Sequence, residues 1–364
     1  MTTSDATSPQ NRLAWLDYAK AIGIVLVVFG HASRSIERTN GLVWSDALQT
    51  LDRVIYSFHM PLFFLLAGFA AGLQKEQSGP SFAKSLLWGV AVPYLVWSVI
   101  WIGLKVMLPE AANVPLGVSS LATLLWQPVE HFWFLYHLFF IRTGWYFANR
   151  WRGGAYWVPV ALAIAAIFAA VLLMAVAPDL HWVAGFLRNF AVYGIGLYGL
   201  PMLVSRFASG PARNLFVLGI ALCLWGAAIT MTIGGTLGGI VIAIGGGLAV
   251  TGLAKSLPQP VTPTWRTLAF LGEASLAIYV MHLLAGAVVR AVLAKTGLLD
   301  ESTLLMTATV AGLAIPALAY WGILSLSQYF GRPLSRWAGL GLGTRSSYMT
   351  LWGSARPLPS LSAT

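Results

Sequence analysis

Long apolar runs separated by short polar connections make up most of the chain. A helix that crosses a bilayer needs about 20 mostly apolar residues, and ten segments meet that requirement. They cover approximately residues 18–36, 54–73, 86–106, 132–149, 156–176, 183–204, 214–232, 235–253, 267–290 and 303–329. The pattern predicts an all-α fold, a polytopic membrane bundle of about ten transmembrane helices. Because only Gly234-Gly235 separates the seventh segment from the eighth, counts of nine and eleven stay open.

The polar ends of the chain predict its domain organisation. Residues 1–17 read as a cytoplasmic N-terminal tail, residues 18–330 as one transmembrane domain, and residues 331–364 as a basic cytoplasmic C-terminal tail. No positively charged region precedes the first apolar run and no small-residue cleavage site follows it. We therefore expect an uncleaved helix rather than a signal peptide.

Composition excludes a water-soluble globular protein. Charged residues make up 9% of the 364 residues and apolar ones 58%, whereas soluble domains have about 25% charged residues. The mean hydropathy is +0.75, which also excludes a disordered chain. The single cysteine, Cys223, lies in an apolar run, so neither an internal disulfide nor a zinc knuckle is expected.

The net charge of +10 is interpreted as a signal of membrane orientation. With the N-terminus inside, fifteen of the 22 lysine and arginine residues fall in inner segments and seven in outer ones. The positive-inside rule then places both termini in the cytoplasm, in contact with anionic lipid and without a nucleic-acid partner. All six histidines fall on the outer side, which points to function because ionisable groups in membranes are costly. They are His31, His59, His131, His137, His181 and His282.

The first apolar run carries a lysine and a histidine at a helical spacing. Lys20 and His31 are eleven residues apart, which is about 16 Å along a helix and close to three turns. One helix face would therefore present a cation near the inner rim and an imidazole near the outer rim. Either side chain could also be structural, with Lys20 snorkelling to the interface.

The second run begins with another candidate pair. His59 lies just inside the outer end of this run, and Asp52 lies one to two turns earlier, where a carboxylate could orient an imidazole. Pro61 falls in the first turn or so, where a missing N–H is harmless. Gly68 is expected to permit close helix packing.

Two further motifs carry polar residues into apolar runs. Glu130 and His131 enter the fourth run from outside and precede Trp133, which reads either as an interfacial belt residue or as a platform for a sugar ring. In the ninth run Tyr279 and His282 are spaced i,i+3 and share one helix face. Phosphate-binding loops, nucleophile elbows, zinc-binding histidine pairs and dinucleotide fingerprints are absent from the sequence.

Together these motifs resemble a known family. The pattern Leu-Asp-Tyr-Ala-Lys-x10-His, then Ser-Phe-His-Met-Pro-Leu-Phe-Phe-Leu-Leu-Ala-Gly-Phe, His-Phe-Trp-Phe-Leu and Ser-Leu-Ala-Ile-Tyr-Val-Met-His is similar to integral-membrane acyltransferase family three. The motif variants look most like the exopolysaccharide, xanthan-type O-acetyltransferases of that family. Lys20 stands where the family commonly has arginine. Lys84 alone stands ahead of Pro93, where the family has paired arginines.

The resemblance implies an activity and its substrates. It implies that cytoplasmic acetyl-CoA is the donor, as a substrate rather than a permanently bound cofactor, and that a sugar hydroxyl is the acceptor. A mannose of a bacterial exopolysaccharide, free or lipid-linked, is the acceptor that it favours. It also implies a place in the bacterial inner membrane, among other polysaccharide-assembly proteins. No metal site is expected.

Acyl transfer to a hydroxyl needs a base for the proton and a donor for the developing oxyanion. His31 is the candidate base, held by Asp52 or Glu130. His59, His131 or Tyr279 is the candidate to polarise the thioester or orient the sugar. Trp133, Tyr279 and His282 are candidates for binding the acceptor, and Lys20 and Lys84 for attracting the coenzyme's phosphates.

Two other function classes fit the same patterns. Proton-coupled transport also uses buried histidine and glutamate in broken helices, so a transporter or flippase for a lipid-linked saccharide is the main alternative. A scaffold subunit of a polysaccharide synthase is the other, and it predicts that changes at His31 and His59 leave acetylation unaffected.

Overall fold

The structure is a computed structural model, and it describes residues 13–40, 44–74, 77–107, 116–151, 157–206, 212–232, 235–259, 261–294, 300–332 and 334–340. These residues form helices, turns and loops without a β-strand. The all-α prediction is therefore confirmed over this part of the chain. The predicted N-terminal tail up to residue 12 and the predicted C-terminal tail from residue 341 lie outside the described residues.

Helices occupy all ten of the predicted apolar segments. In chain order they are α1 (Ala14–Asn40), α2 (Asp46–Gly72), α3 (Gly79–Leu86), α4 (Val92–Met107), α5 (Ser120–Thr123), α6 (Trp133–Trp151), α7 (Trp157–Val176), α8 (His181–Gly194), α9 (Leu200–Arg206), α10 (Ala212–Thr232), α11 (Gly235–Ser256), α12 (Arg266–Glu273), α13 (Ser275–Ala294), α14 (Glu301–Tyr329) and α15 (Leu334–Trp337). Helix α1 begins four residues before the predicted start of the membrane domain, and Asp17 is buried within it.

The predicted count of ten spans is not confirmed. Seven helices among the described residues are long and apolar enough to cross a membrane, or eight if α12 and α13 form one span bent by 75°. The segments around α6 and α8 are helical but fall outside this set. Polar side chains account for the difference: α6 carries His137, Arg142 and Arg150, and α8 carries Arg188 and Asn189.

Two helical segments contain a wide turn just before a proline. Residues Leu87–Ala91 and Ile195–Gly199 are π-helical, with hydrogen bonds from Val92 N to Leu87 O and from Leu200 N to Ile195 O. Pro93 and Pro201 follow these turns. A proline has no N–H to give to the carbonyl four residues earlier, so the local pattern can widen to the π form. These turns join α3 to α4 and α8 to α9 into longer helical segments.

Helix α1 lies at the centre of the bundle. It packs against α2, α11, α12, α13 and α14, and Tyr18, Ala19 and Ala21 are completely buried. Large apolar side chains on α7, α10 and α14 stay exposed, including Phe168, Trp225 and Leu318. This arrangement fits a bundle surrounded by lipid, with the functional residues of α1 in its interior.

Glycine sets the closest helix contacts. A Cβ on Gly68 of α2 would overlap the backbone carbonyl of Tyr193, and one on Gly196 would overlap that of Leu65. The prediction that Gly68 permits close packing is therefore confirmed. A Cβ on Gly272 of α12 would overlap the carbonyl oxygen of Asp17, so backbone lies on backbone where α12 crosses α1.

Candidate functional site

Three histidines from distant parts of the chain meet inside the bundle. His31 comes from α1, His131 from a 3₁₀ turn at Glu130–Phe132, and His282 from α13. The ring centroids are 5.2 Å apart for His31 and His282, and 5.8 Å apart for His131 and His282. His282 is 2% exposed and His131 is 6% exposed. We call these three residues the histidine cluster.

The backbone orients the ring of His282. Its Nδ1 lies 2.8 Å from the carbonyl oxygen of Tyr279 and 3.1 Å from that of Ile278. Because a carbonyl can only accept a hydrogen bond, the neutral ring carries its proton on Nδ1 and its lone pair on Nε2. That Nε2 is buried and has no hydrogen-bond partner, as is also true of both ring nitrogens of His131. Two members of the cluster, His131 and His282, therefore have buried ring nitrogens that make no hydrogen bond.

Tyr279 links α13 to the turn that carries His131. Its hydroxyl donates a hydrogen bond to the backbone carbonyl of His131, and the two rings are 5.8 Å apart. Its side chain is 6% exposed. The hydroxyl that the sequence suggested for polarising a thioester is thus engaged by a carbonyl, and it fixes the position of His131.

Glu130 pairs away from the histidine cluster. Its carboxylate forms an ion pair with Lys105 of α4 and accepts a hydrogen bond of 3.2 Å from Trp101 Nε1. Glu130 also has a φ of +39°, a positive value that no other non-glycine residue in the described ranges shows. Such a conformation is strained for a side chain with a Cβ. The ion pair ties this strained turn to α4, one residue before His131.

Asp52 pairs with an arginine. Its two oxygens accept hydrogen bonds from Arg34 Nε and Nη2 at 2.8 to 3.2 Å, which joins α2 to α1. The Arg34 guanidinium also lies 3.3 Å from the ring centroid of Tyr56. Tyr56 is in turn 4.8 Å from His59. The carboxylate expected to hold His31 thus holds the arginine that follows one turn later on α1.

His59 is a buried residue of α2 near the same region. It is 2% exposed, and its Nδ1 lies 2.8 Å from the carbonyl oxygen of Ile55. Its ring centroid is 4.8 Å from that of Tyr56, which contacts Arg34. His59 is therefore linked to the Arg34–Asp52 pair through Tyr56.

A small apolar cavity lies beside Tyr279, whose ring contacts those of His131 and His282. Its volume is about 90 Å³, and Met60, Phe63, Phe134, Ser275 and Tyr279 are among its lining residues. On α13 it begins at Ser275, two turns before His282. A space of this size and polarity suits a short apolar chain or a methyl group more than a sugar.

The comparison with known proteins identifies the family. Residues 13–323 match the acyltransferase domain of acyltransferase family 3. The chain belongs to this family. No solved structure gives a significant match.

One curated relative is similar over part of its length. The nodulation protein NolL of Mesorhizobium japonicum is 29% identical over 169 residues, which cover 45% of this chain and 43% of the relative. The chain therefore spans less than half the length of the curated relative that it matches. This partial similarity does not identify the substrate of the present protein.

Three other residues that the sequence suggested for binding substrates lie apart from the histidine cluster. They are Lys20, Lys84 and Trp133. Lys20 lies 3.4 Å from Asp17, and Lys84 is exposed on α3. Trp133 is half-buried among aromatic rings, 6.3 Å from Phe64 and 5.2 Å from His137. It is therefore part of the helix packing around α6.

Two arginines near the site, Arg34 and Arg188, were not among the residues that the sequence motifs singled out. Arg34 lies three residues after His31, and this i,i+3 spacing on one face was a signal available in the sequence. Arg188 and Asn189 interrupt an apolar run, which is also a signal of function. Arg188 donates to Asn189 Oδ1 at 3.3 Å, and within the described ranges no carboxylate lies within 4 Å of it.

Groups of three or more His, Cys, Asp or Glu residues that could hold a metal ion are absent from the described part of the chain.

We expect the Arg34–Asp52 pair to contribute to stability in this acyltransferase-family fold. The side chains are 29% and 16% exposed, so the pair is less screened than a surface ion pair. Removing one partner leaves the other charge poorly compensated. A double-mutant cycle with Arg34→Gln and Asp52→Asn should give a coupling of about 1–2 kcal/mol, measured by denaturant unfolding in detergent. Additive effects of the two single substitutions would show that the pair contributes nothing.

Proposed function

We propose that this protein is a membrane O-acetyltransferase that moves an acetyl group from cytoplasmic acetyl-CoA to a sugar hydroxyl. The acceptor is a bacterial exopolysaccharide or its lipid-linked repeat unit, with mannose as the acetylated sugar. The observation that carries the proposal is the histidine cluster, in which His131 and His282 have buried ring nitrogens without a hydrogen-bond partner. Tyr279, which contacts these two rings, also lines an apolar cavity. Membership of acyltransferase family 3 supports the reaction class.

The proposed reaction is a single acyl transfer. His31 accepts the proton of the sugar hydroxyl while that oxygen attacks the thioester carbonyl carbon. A new carbon–oxygen bond forms, the carbon–sulfur bond breaks, and the proton passes to the leaving thiolate of coenzyme A. General-base catalysis of this kind contributes about 10²–10⁴-fold. The bare Nε2 of His282, whose ring is 5.2 Å from that of His31, supports this role by offering a second acceptor for the same proton.

The remaining candidates take supporting roles in this proposal. His131 and His59 orient the substrates or donate to the carbonyl oxygen, where negative charge develops. Tyr279 positions His131 by donating a hydrogen bond to the backbone carbonyl of His131. The acetyl group occupies the apolar cavity, whose lining of Phe63 and Phe134 excludes water. Lys20 and Lys84 attract the phosphates of coenzyme A from the cytoplasmic side.

The proposal includes a membrane location and partners. Both termini face the cytoplasm of a bacterium, and the chain lies in the inner membrane. The partners are the lipid bilayer, acetyl-CoA, the saccharide acceptor and other polysaccharide-assembly proteins. The excess of lysine and arginine in the inner segments supports this orientation.

Acetyl-CoA-dependent thiol release by the purified protein tests the proposal. Protein in lipid nanodiscs is mixed with acetyl-CoA and an oligosaccharide from the exopolysaccharide, and both free thiol and acetylated product are measured. We expect both products in equal amounts, and neither with boiled protein. A preparation that binds the oligosaccharide but releases no thiol would overturn the proposal.

One observation favours transport of a saccharide as a second candidate. The pair α12 and α13 is bent by 75°, and broken helices line the substrate sites of many transporters. The same experiment separates the two, because a flippase moves its lipid-linked substrate without consuming acetyl-CoA.

A further inference from the structure

A polar pocket is lined in part by the Arg34–Asp52 pair, and its lining does not include the histidine cluster. Its volume is about 270 Å³, and its lining includes Arg34, Glu37, Trp44, Gln49, Asp52 and Arg53. We call it the Trp44 pocket. It is formed by the last turns of α1, the first turns of α2 and Trp44. None of the motifs that pointed to acyl transfer includes Trp44 or Gln49.

We propose that the Trp44 pocket binds one uncharged pyranose unit of the acceptor. This inference rests on the proposed acyl transfer and names the place where the acceptor sugar is held. Its volume corresponds to about nine water molecules at roughly 30 Å³ each. One sugar ring of about a dozen non-hydrogen atoms is comparable in size to that space.

The charges around the pocket favour a neutral polyol. Two guanidinium groups, of Arg34 and Arg53, are balanced by two carboxylates, of Glu37 and Asp52. Guanidinium groups only donate hydrogen bonds and carboxylates only accept them, whereas a sugar hydroxyl does both. Neighbouring hydroxyls can therefore bridge groups of both kinds. Because the two positive and two negative charges balance, the pocket offers an anionic sugar no net charge attraction.

The indole of Trp44 is fixed in place. Trp44 Nε1 donates to the carbonyl oxygen of Ser33 at 3.3 Å, and Gln49 Nε2 donates to the carbonyl oxygen of Trp44 at 2.8 Å. Gln49 Oε1 in turn accepts from Arg53 Nη2 at 3.4 Å. A held aromatic ring provides rigid apolar surface at low entropic cost, which suits the C–H face of a pyranose.

The pocket is close to the proposed base. Arg34 is three residues after His31 on α1, which is about 4.5 Å along the helix axis. Arg34 also contacts Tyr56, and Tyr56 contacts His59. A sugar that lies against the Arg34–Asp52 pair is thus about one helical turn from the histidine cluster. A hydroxyl of that sugar, or of the next one along the chain, can reach His31.

Saturation-transfer NMR with a panel of methyl pyranosides tests the inference. The probes are the methyl glycosides of mannose, glucose, galactose and N-acetylglucosamine, together with methyl glucuronide. For the wild-type protein in nanodiscs we expect transfer to at least one neutral member and weaker transfer to the glucuronide. The double variant Gln49→Ala/Arg53→Ala should weaken binding of that neutral member about tenfold, since two hydrogen-bonding side chains of the pocket are lost.

Two further variants guard against misfolding and against unspecific binding. Trp44→Phe keeps an aromatic ring but loses the bond to Ser33, so it should weaken binding while the protein stays folded. Trp126→Leu is the matched control, because Trp126 is 66% exposed and outside the pocket lining, and it should bind as the wild type does. Absence of transfer to every probe, a preference for the glucuronide, or equal binding by wild type and double variant overturns the inference.

The proposed function and this inference fail differently. Thiol release from acetyl-CoA is measured on the same preparations. Pyranoside binding without thiol release would contradict acyl transfer and leave the sugar site standing. If the protein releases thiol but the double variant binds the pyranoside as the wild type does, acyl transfer is supported and the sugar site is contradicted.

Discussion

Replacing His31 with glutamine is expected to reduce acetyl transfer about 10²–10⁴-fold, the contribution of a general base. Glutamine keeps the polarity and much of the volume of the imidazole, but it cannot take up a proton at neutral pH. His282, 5.2 Å away between ring centroids, is proposed to accept the proton only after His31 has taken it from the hydroxyl, so it does not replace His31 as the base. Free thiol and acetylated saccharide, measured on protein in nanodiscs, report the loss.

The control is another histidine on the same predicted side of the membrane. His181 is exposed at the start of α8 and lies outside the cluster, so His181→Gln should retain full activity. The amount of folded His31→Gln protein is checked by size-exclusion chromatography. If the folded variant transfers acetyl groups at more than about a third of the wild-type rate, His31 is not the base.

The second large effect concerns the contact between α12 and α1. We expect Gly272→Ala to lower the stability of the protein by about 3 kcal/mol or more, at or above the upper end of typical overpacking effects. The new Cβ would overlap the carbonyl oxygen of Asp17, and neither backbone can rotate away as a side chain would. The helices must separate, and α13 with His282 follows α12 after a single intervening residue. Thermal unfolding in detergent should show a lower midpoint, together with reduced transfer.

Gly322→Ala on α14 is the matched control for this substitution. A Cβ at Gly322 meets no heavy atom within 4 Å. Alanine there gains about 1 kcal/mol of helix propensity over glycine, so the midpoint should stay level or rise. Equal midpoints for Gly272→Ala and the wild type would falsify the close backbone contact.

The location of the helices was predictable because lipid imposes one strict condition. Backbone polar groups must be satisfied within the segment, so each long apolar run must be helical. Every predicted run is helical in the described ranges. The number of spans was harder to predict. The rule of about 20 apolar residues counted α6 and α8, although their arginines and histidines lower the hydropathy of these segments.

The candidate site was predictable in its residue types and less so in its partners. The sequence singled out His31, His131 and His282 because ionisable groups in apolar runs are costly, and the fold brings them together. It assigned Asp52 to a histidine because Asp52 is near His59 in sequence. In the structure α1 and α2 lie side by side, so Asp52 meets Arg34 instead. The spacing of residues along one helix does not show which residue of a neighbouring helix lies close to them.

The sequence by itself determined that this chain is a helical membrane protein with its titratable residues concentrated in a few motifs. Hydropathy and helical periodicity are local properties, so they can be read without knowledge of the fold. Only the tertiary structure decided which residues are neighbours: the histidine cluster, the strained turn at Glu130 held by Lys105, and the pocket around Trp44. These contacts join residues up to about 250 positions apart in sequence. They depend on helices that approach closely only where glycines such as Gly272 and Gly68 leave room.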